Sequence, residues 1–241
     1  MILAILSDIH GNLEALETAL RCIDEENADE VLCLGDIVGY GANPNECVER
    51  VRARCAHVLL GNHDAAAIGT TSIETFNTHA RRSALWTGET LAPANGEYLR
   101  TLPMDYRTVD FYAVHASPNE REEWHYIVNQ SIAEEAFLAF PDEICFIGHS
   151  HLPMFFREGG ARGVRIPEGS VPFPRDGRYI INVGSVGQPR DNDPRLSFGI
   201  YDTSERKLKL RREVYDVAAA SAKILKAGLP EMLATRLRLG V

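Results

Sequence analysis

Histidine, aspartate and asparagine side chains recur in this chain at the points where short apolar runs end. Five such points carry, in order, Asp8 with His10, Asp36, Asn62 with His63, His115, and His149 with His151. Imidazoles, carboxylates and an asparagine carbonyl are together typical ligands of borderline divalent ions such as Mn²⁺, Fe²⁺, Zn²⁺ or Co²⁺. The absence of cysteine from the set argues against a structural zinc site. The residue types therefore predict a divalent-metal site.

The number of candidate ligands points to more than one ion. Seven of these eight residues, all but His63, are counted as ligands, which is too many for a single ion of this kind. Two ions about 3.5–4 Å apart that share one carboxylate would use all seven and leave room for a bridging hydroxide. This is the arrangement of a hydrolase that acts on a phosphoester.

The elements that must position these side chains can be predicted from apolar periodicity. Residues 2–6, 31–34 and 58–60 are predicted as buried strands, and residues 12–27 and 44–54 as the helices between them. Three strand–helix units in succession indicate a parallel sheet, and ligands collect outside the carboxyl ends of such strands. In an extended Asp8-Ile9-His10 segment the outer residues would face the site and Ile9 the core. The same geometry is expected for His149 and His151.

The rest of the chain is predicted to complete one domain over residues 1–241. Residues 65–102 form a helical insertion, residues 111–114 and 144–147 form further strands, and residues 217–241 form a helical tail. The segments beyond Pro153 alternate as strands joined by glycine, proline and aspartate turns, which favours a second, more antiparallel sheet.

Composition excludes several classes of protein. The chain has 241 residues, 45% of them hydrophobic, and a net charge of −9 from 25 basic and 34 acidic residues. This acidic balance argues against nucleic acid as a partner. No apolar run reaches the roughly 20 residues that span a bilayer, and the amino-terminal residues do not resemble a signal peptide. A cytoplasmic protein that does not bind membranes is expected.

Four motifs resemble the signature of the calcineurin-like metallophosphoesterase superfamily, in their order and approximate spacing. They are Asp8-Ile9-His10, Gly35-Asp36, Gly61-Asn62-His63-Asp64 and Gly148-His149-Ser150-His151. The resemblance covers about residues 1–215. It implies an α/β fold of four layers (αββα), in which two mixed β-sheets lie face to face between outer helices. It also implies a centre of two divalent transition-metal ions, with Mn²⁺ favoured and Fe, Zn, Co or Ni as alternatives.

The resemblance also implies a role for each residue. Asp8, His10 and His151 would bind one ion, Asn62, His115 and His149 would bind the other, and Asp36 would bridge them. His63 matches a histidine that binds no metal but faces the leaving-group oxygen, which makes it the candidate general acid.

The chain departs from the family pattern at Gly39 and Tyr40. Related phosphatases keep a phosphate-gripping arginine where this chain has Tyr40, and an aspartate that orients the catalytic histidine where it has Gly39. Substrate contact is therefore assigned to Tyr40 and to Arg190, whose guanidinium could bind phosphate bidentately. Asn12 is either a third substrate contact or a helix N-cap.

Other residues are predicted to be structural. Trp86 is assigned to core packing rather than to base stacking, and residues 120–123 to a solvated loop or face. Substrate pockets in this superfamily are built by inserted loops, which here would be residues 65–102 and 159–178.

The predicted function is metal-dependent hydrolysis of a small phosphodiester, phosphomonoester or nucleotide. Two alternatives are a nuclease of the same superfamily and a catalytically silent scaffold that binds other proteins. The intact set of ligand positions argues against the scaffold. The oligomeric state stays open.

Overall fold

The three strand–helix units at the start of the chain form as predicted. The computed structural model, which describes residues 1–241, has parallel strands β1 (Ile2–Leu6), β2 (Glu30–Cys33) and β3 (His57–Val58). Helices α1 (Leu13–Glu25) and α2 (Pro44–Arg54) connect them. Proline at the first position of α2 is tolerated because the N–H it lacks would have no partner inside the helix.

The chain continues with six helices, nine strands and a 3₁₀ turn. The helices are α3 (Asn62–Ala67), α4 (Thr78–Thr90), α5 (Pro93–Arg100), α6 (Gln130–Phe137), α7 (Val217–Lys226) and α8 (Glu231–Leu239). The strands are β4 (Asp105–Arg107), β5 (Tyr112–Val114), β6 (Ile144–Ile147), β7 (Met154–Arg157), β8 (Val164–Arg165), β9 (Gly169–Pro172), β10 (Tyr179–Asn182), β11 (Leu196–Asp202) and β12 (Lys207–Glu213). The 3₁₀ turn is Arg121–Glu123. No helix combines the length and apolar character that crossing a membrane requires.

The strands form two mixed sheets of six strands each. The first has the order β3-β2-β1-β11-β12-β9 and the second the order β4-β5-β6-β10-β7-β8. The prediction that the segments beyond Pro153 form a sheet of their own is therefore wrong. Strands β9, β11 and β12 extend the first sheet, because β11 pairs antiparallel with β1, while β7, β8 and β10 join the second.

The two sheets pack face to face between outer helices, which confirms the four-layer α/β fold. Leu3 and Ile5 of β1 belong to the same buried cluster as Phe146 of the second sheet. The alternate residues Ala4 and Leu6 pack with the apolar side of α1 and α2. Strand β1 is thus apolar on both faces, as expected for a strand buried between two layers.

Candidate metal centre

The structure brings the predicted ligands to one edge of the sandwich. Asp8 and His10 follow β1, Asp36 follows β2, Asn62 and His63 form the first turn of α3, His115 follows β5, and His149 and His151 follow β6. All eight side chains are at most 5% exposed. Burying so many polar groups together is unfavourable unless they are paired or bind a metal.

The backbone at this edge is not extended, contrary to the geometry expected from alternation along a strand. Asp8, His10, Asp36, His149 and His151 all have left-handed φ angles, between 52° and 65°. These conformations are disfavoured for residues other than glycine and persist where the surrounding structure holds them. Here the left-handed conformations turn the first and third residues of Asp8-Ile9-His10 and of His149-Ser150-His151 toward the candidate metal centre. Ile9 is fully buried, as predicted.

Three of the side chains form a first ligand group. The Nε2 atoms of His10 and His151 lie 3.1 Å apart, and His151 Nε2 lies 3.3 Å from Asp8 Oδ1. The three potential ligand atoms all lie within 4.8 Å of one another. The group has the mixed imidazole and carboxylate composition that divalent transition metals prefer.

A second group lies beside the first and includes Asp36. The potential ligand atoms of Asp36, His115 and His149 also lie within 4.8 Å of one another. Asn62 Oδ1 is 3.2 Å from His115 Nε2. Asp36 Oδ2 lies 3.4 Å from His115 Nε2 and 3.6 Å from His10 Nε2, so this one oxygen reaches both groups.

The protonation of three histidines is set by backbone carbonyls. The Nδ1 atoms of His10, His115 and His151 contact the carbonyl oxygens of Val38, Leu34 and Gln188 at 3.1, 2.9 and 2.5 Å. A carbonyl only accepts hydrogen bonds, so each Nδ1 carries a proton, and Nε2 presents a lone pair whenever the ring is neutral. Such contacts typically orient metal-binding histidines.

Several ligand nitrogens at the centre lack a hydrogen-bond donor to pair with their lone pairs. Lone pairs on His10 Nε2 and His151 Nε2, which lie 3.1 Å apart, repel each other. His149 Nε2 is buried and has no partner. A cation between these atoms removes the repulsion, so the residues present fit a bound divalent metal.

Electrostatics keep most of these imidazoles neutral. Burial lowers the pKa of His10 well below its usual value and lowers the pKa of His149 to about 3. For His115, burial has the same direction but is outweighed by the carboxylates of Asp36 and Asp8, which raise its pKa to about 9. The carboxylates and the neutral rings are donors that a divalent ion requires, and His115 would have to release a proton to join them.

His63 is oriented by packing rather than by a carboxylate. Its ring centroid lies 4.3 Å from Tyr40, 4.9 Å from His10 and 5.0 Å from Phe76. Its Nδ1 is buried and unpaired, and burial lowers the pKa of the ring to about 4. Asp64 next to it accepts hydrogen bonds from the N–H groups of Val38 and Gly61, each at 3.0 Å, and so supports the loops instead of His63.

Gly39 leaves the space that the His63 ring fills. A Cβ atom at residue 39 would lie 2.7 Å from His63 Nδ1. Residue 39 therefore has no side chain that could orient His63, and it could not carry one without moving the ring. Gly39 also has a φ of 88°, which favours glycine.

We expect Gly39→Ala to displace His63 and reduce kcat by up to about 10²-fold, the cost of a misplacement near 1 Å. Metal content should not change, because residue 39 holds no ligand. Gly69→Ala is a matched control, since Gly69 also has a positive φ but no atom within 4 Å of an added Cβ. Equal losses in both variants would attribute the effect to backbone strain alone.

The three predicted substrate contacts have different surroundings. Asn12 accepts a hydrogen bond from Ala15 N–H and donates one to the Gly187 carbonyl, so the structure favours the N-cap interpretation over substrate contact. Tyr40 is buried against His63 and His10. The Arg190 guanidinium lies 5.9 Å from the Tyr40 ring centroid, and its Nε is buried without a partner.

A cleft of about 620 Å³ lies beside the site, and sequence reasoning assigned only one of its two walls, the one within the 65–102 insertion. One wall consists of residues 122–126, which include Trp124 and Tyr126, and another of residues from Thr71 to Ala80. The Tyr126 ring stacks on His149 at 3.9 Å. Residues 122 and 123 are exposed, as predicted, but face the cleft. No local sequence signal connects this loop to the metal ligands.

Two other predictions about the surroundings have opposite outcomes. Residues 159–178 do not line the cleft, because they form β8 and β9 at the outer edges of the two sheets, so that pocket prediction is wrong. Trp86 packs against the cluster of α7 and α8, which confirms its structural assignment.

Arg236 of α8 lies near Arg190. Burial lowers the pKa of Arg236 most, and the positive charge of Arg190 lowers it further.

Comparison with known proteins identifies the family. Residues 1–206 match the family model described as the calcineurin-like phosphoesterase superfamily domain. The chain is 38% identical over 242 residues to the uncharacterized protein MJ0912 of Methanocaldococcus jannaschii, covering 99% of this chain and 98% of that protein.

Solved structures give the same result. A metallophosphoesterase from Sphaerobacter thermophilus superposes with a TM-score of 0.91 at 42% identity, covering 100% of this chain and 99% of the other. The hypothetical protein PH1004 of Pyrococcus horikoshii has the same fold, with a TM-score of 0.81 at 21% identity and coverage of 100% and 98%.

Proposed function

Because the chain belongs to the calcineurin-like phosphoesterase superfamily, we propose that it hydrolyses a small phosphodiester, phosphomonoester or nucleotide with two divalent metal ions. Asp8, His10 and His151 would hold one ion, Asn62, His115 and His149 the other, and Asp36 both. When bound, such ions lower the pKa of water and stabilise charge on the phosphoryl oxygens. We favour Mn²⁺, with Fe, Zn, Co or Ni as alternatives.

The observation that carries this proposal is the pair of ligand groups joined by Asp36. One carboxylate oxygen lies 3.6 Å from His10 and 3.4 Å from His115, and these two histidines belong to different groups. A single structural ion would need only one of the groups. The Nδ1 contacts with backbone carbonyls support the proposal further, because they aim the metal-binding nitrogens in advance.

The chain's own residues would handle the substrate. His63 would donate a proton to the leaving oxygen, and its low pKa requires that a bound phosphoester raise the pKa before the ring can carry that proton. Arg190 would bind a phosphoryl oxygen that does not react. Tyr40 would help to hold both residues in place through its contacts with the His63 ring and the Arg190 guanidinium.

Hydrolysis of p-nitrophenyl phosphate and bis(p-nitrophenyl) phosphate with added Mn²⁺ tests the proposal, together with elemental analysis of the purified protein. We expect turnover of at least one ester and two ions per chain. Turnover of neither ester by protein that holds both ions would favour the scaffold alternative.

We expect Arg190→Ala to raise KM for phosphoesters by about tenfold or more while kcat changes little. A charged hydrogen bond contributes about 1.5–3 kcal/mol, and one made equally in ground and transition states affects KM alone. Steady-state kinetics on the best accepted ester provides the measurement, with Arg162→Ala, at an exposed arginine, as the control. An unchanged KM and kcat in Arg190→Ala would show that Arg190 does not contact the substrate and has a structural role.

A further inference from the structure

The 620 Å³ cleft opens directly onto the candidate metal centre. Asn62, His63 and His149 form its inner wall. A phosphoester whose phosphoryl group lies at the metal ligands, with its leaving oxygen toward His63, must therefore extend its leaving group into this space. The volume falls within the range of small-ligand pockets.

The outer walls combine aromatic rings with negative charge. Phe76, Trp124 and Tyr126 supply rings, and Tyr126 remains 48% exposed although it stacks on His149. Glu122 and Glu123 supply carboxylates. The lining contains no lysine or arginine, and Arg190 and Arg236 do not belong to it.

The wall formed by residues 122–126 has a strained backbone and is tied to the opposite wall by a hydrogen bond. Glu120 and Trp124 flank the 3₁₀ turn with left-handed φ angles of 46° and 56°. The Trp124 indole N–H donates to Thr71 Oγ1 at 3.4 Å, which links the two sides of the cleft. Strained residues that persist beside a candidate site are typical of segments with a binding role.

We propose, on the basis of the proposed function, that this cleft selects the leaving group: it accepts a planar aromatic group that is uncharged or cationic and rejects one that carries further negative charge. The rings offer stacking surfaces for planar groups. The two carboxylates accept hydrogen bonds from hydroxyl or amino groups and repel anions. Phosphoesters whose leaving group carries further phosphate groups, and phosphoanhydrides such as polyphosphates, are therefore poor substrates.

Aryl phosphates that differ only in charge test this selection. The probes are 4-carbamoylphenyl phosphate, its isosteric anion 4-carboxyphenyl phosphate, and cationic 4-(trimethylammonio)phenyl phosphate, or their methyl diesters if the enzyme prefers diesters. We expect the wild-type kcat/KM for the neutral probe to exceed that for the anionic probe by about tenfold, from two like-charge contacts. The cationic probe should react at least as well as the neutral one.

The Glu122→Gln/Glu123→Gln double variant should reduce the neutral-to-anionic ratio about tenfold, to near the intrinsic reactivity ratio of the two esters. Comparing variant with wild type cancels that intrinsic difference. Glu74→Gln is the matched control, because Glu74 is an exposed carboxylate of the 71–80 wall segment that does not line the cleft. It should leave the ratio unchanged.

Two results would overturn the selection: equal wild-type kcat/KM for the neutral and anionic probes, or a ratio that the double variant does not alter. Failure of the proposed function has a different signature, since wild type would then hydrolyse none of the probes and neither nitrophenyl ester. In that case the dissociation constants of the same probes are measured by calorimetry with Mn²⁺-loaded protein. The ratio of the constants for the anionic and neutral probes then tests the cleft.

Discussion

Asp36→Asn is expected to remove both metal ions and to slow hydrolysis by at least about 10³-fold. One oxygen of Asp36 reaches both ligand groups, so its loss weakens both at once. Metal ions stabilise transition-state charge by several kcal/mol, and each 1.36 kcal/mol corresponds to a factor of ten in rate. Elemental analysis and kcat on the same preparation provide the measurement.

The substitution should leave the fold intact. Asparagine has the shape of aspartate and keeps an oxygen for the hydrogen bond that His63 N–H donates to Asp36 Oδ1 at 2.8 Å. Asp110→Asn, in an exposed loop, serves as the control for loss of a carboxylate. An Asp36→Asn protein that retained two ions and full activity would contradict the bridging assignment.

His63→Ala is expected to retain both ions and to slow hydrolysis by roughly 10²–10⁴, the contribution of a positioned general acid. The loss should depend on the leaving group. An alkoxide needs protonation to depart, whereas p-nitrophenolate leaves almost unaided. The ratio of the rate losses on an alkyl ester and on its nitrophenyl counterpart therefore measures proton donation.

Two outcomes would assign His63 a different role. Equal losses on both esters would make it an electrostatic contact to the phosphoryl oxygens. Loss of metal would make it a ligand, and the structure makes this outcome worth measuring, because potential ligand atoms of His63, His10 and Asp36 lie within 4.8 Å of one another. The Gly39→Ala variant separates the effect of moving the His63 imidazole from the effect of removing it, since this variant keeps the ring but displaces it.

The parts of this fold that could be predicted are those whose signal is local. Strands such as Ile2–Leu6 and Ile144–Ile147 are continuous apolar runs because both of their faces are buried, and the polar residues that follow them mark the site. The partner of β11 could not be predicted in this way. Its pairing joins Ile2 to Asp202, and no local pattern in either segment specifies the other.

The site shows the same division. Residue types and spacing predicted which side chains come together, although the backbone that directs them is left-handed rather than extended. That conformation depends on distant hydrogen bonds, such as the one from Asp8 N–H to the Gly35 carbonyl. Trp124 and Tyr126 escaped prediction because their partners, Thr71 and His149, are 53 and 23 residues away along the chain.

The central place of β11 has a consequence for the order of events during synthesis. The last predicted ligand, His151, leaves the ribosome well before residues 196–202, yet β1, which precedes Asp8 and His10, gains its second neighbour only from that late strand. A growing chain thus carries the complete set of imidazoles and carboxylates before the scaffold that aligns them exists. We expect stable metal capture to await release of a nearly finished chain, since pairing between such distant segments forms late.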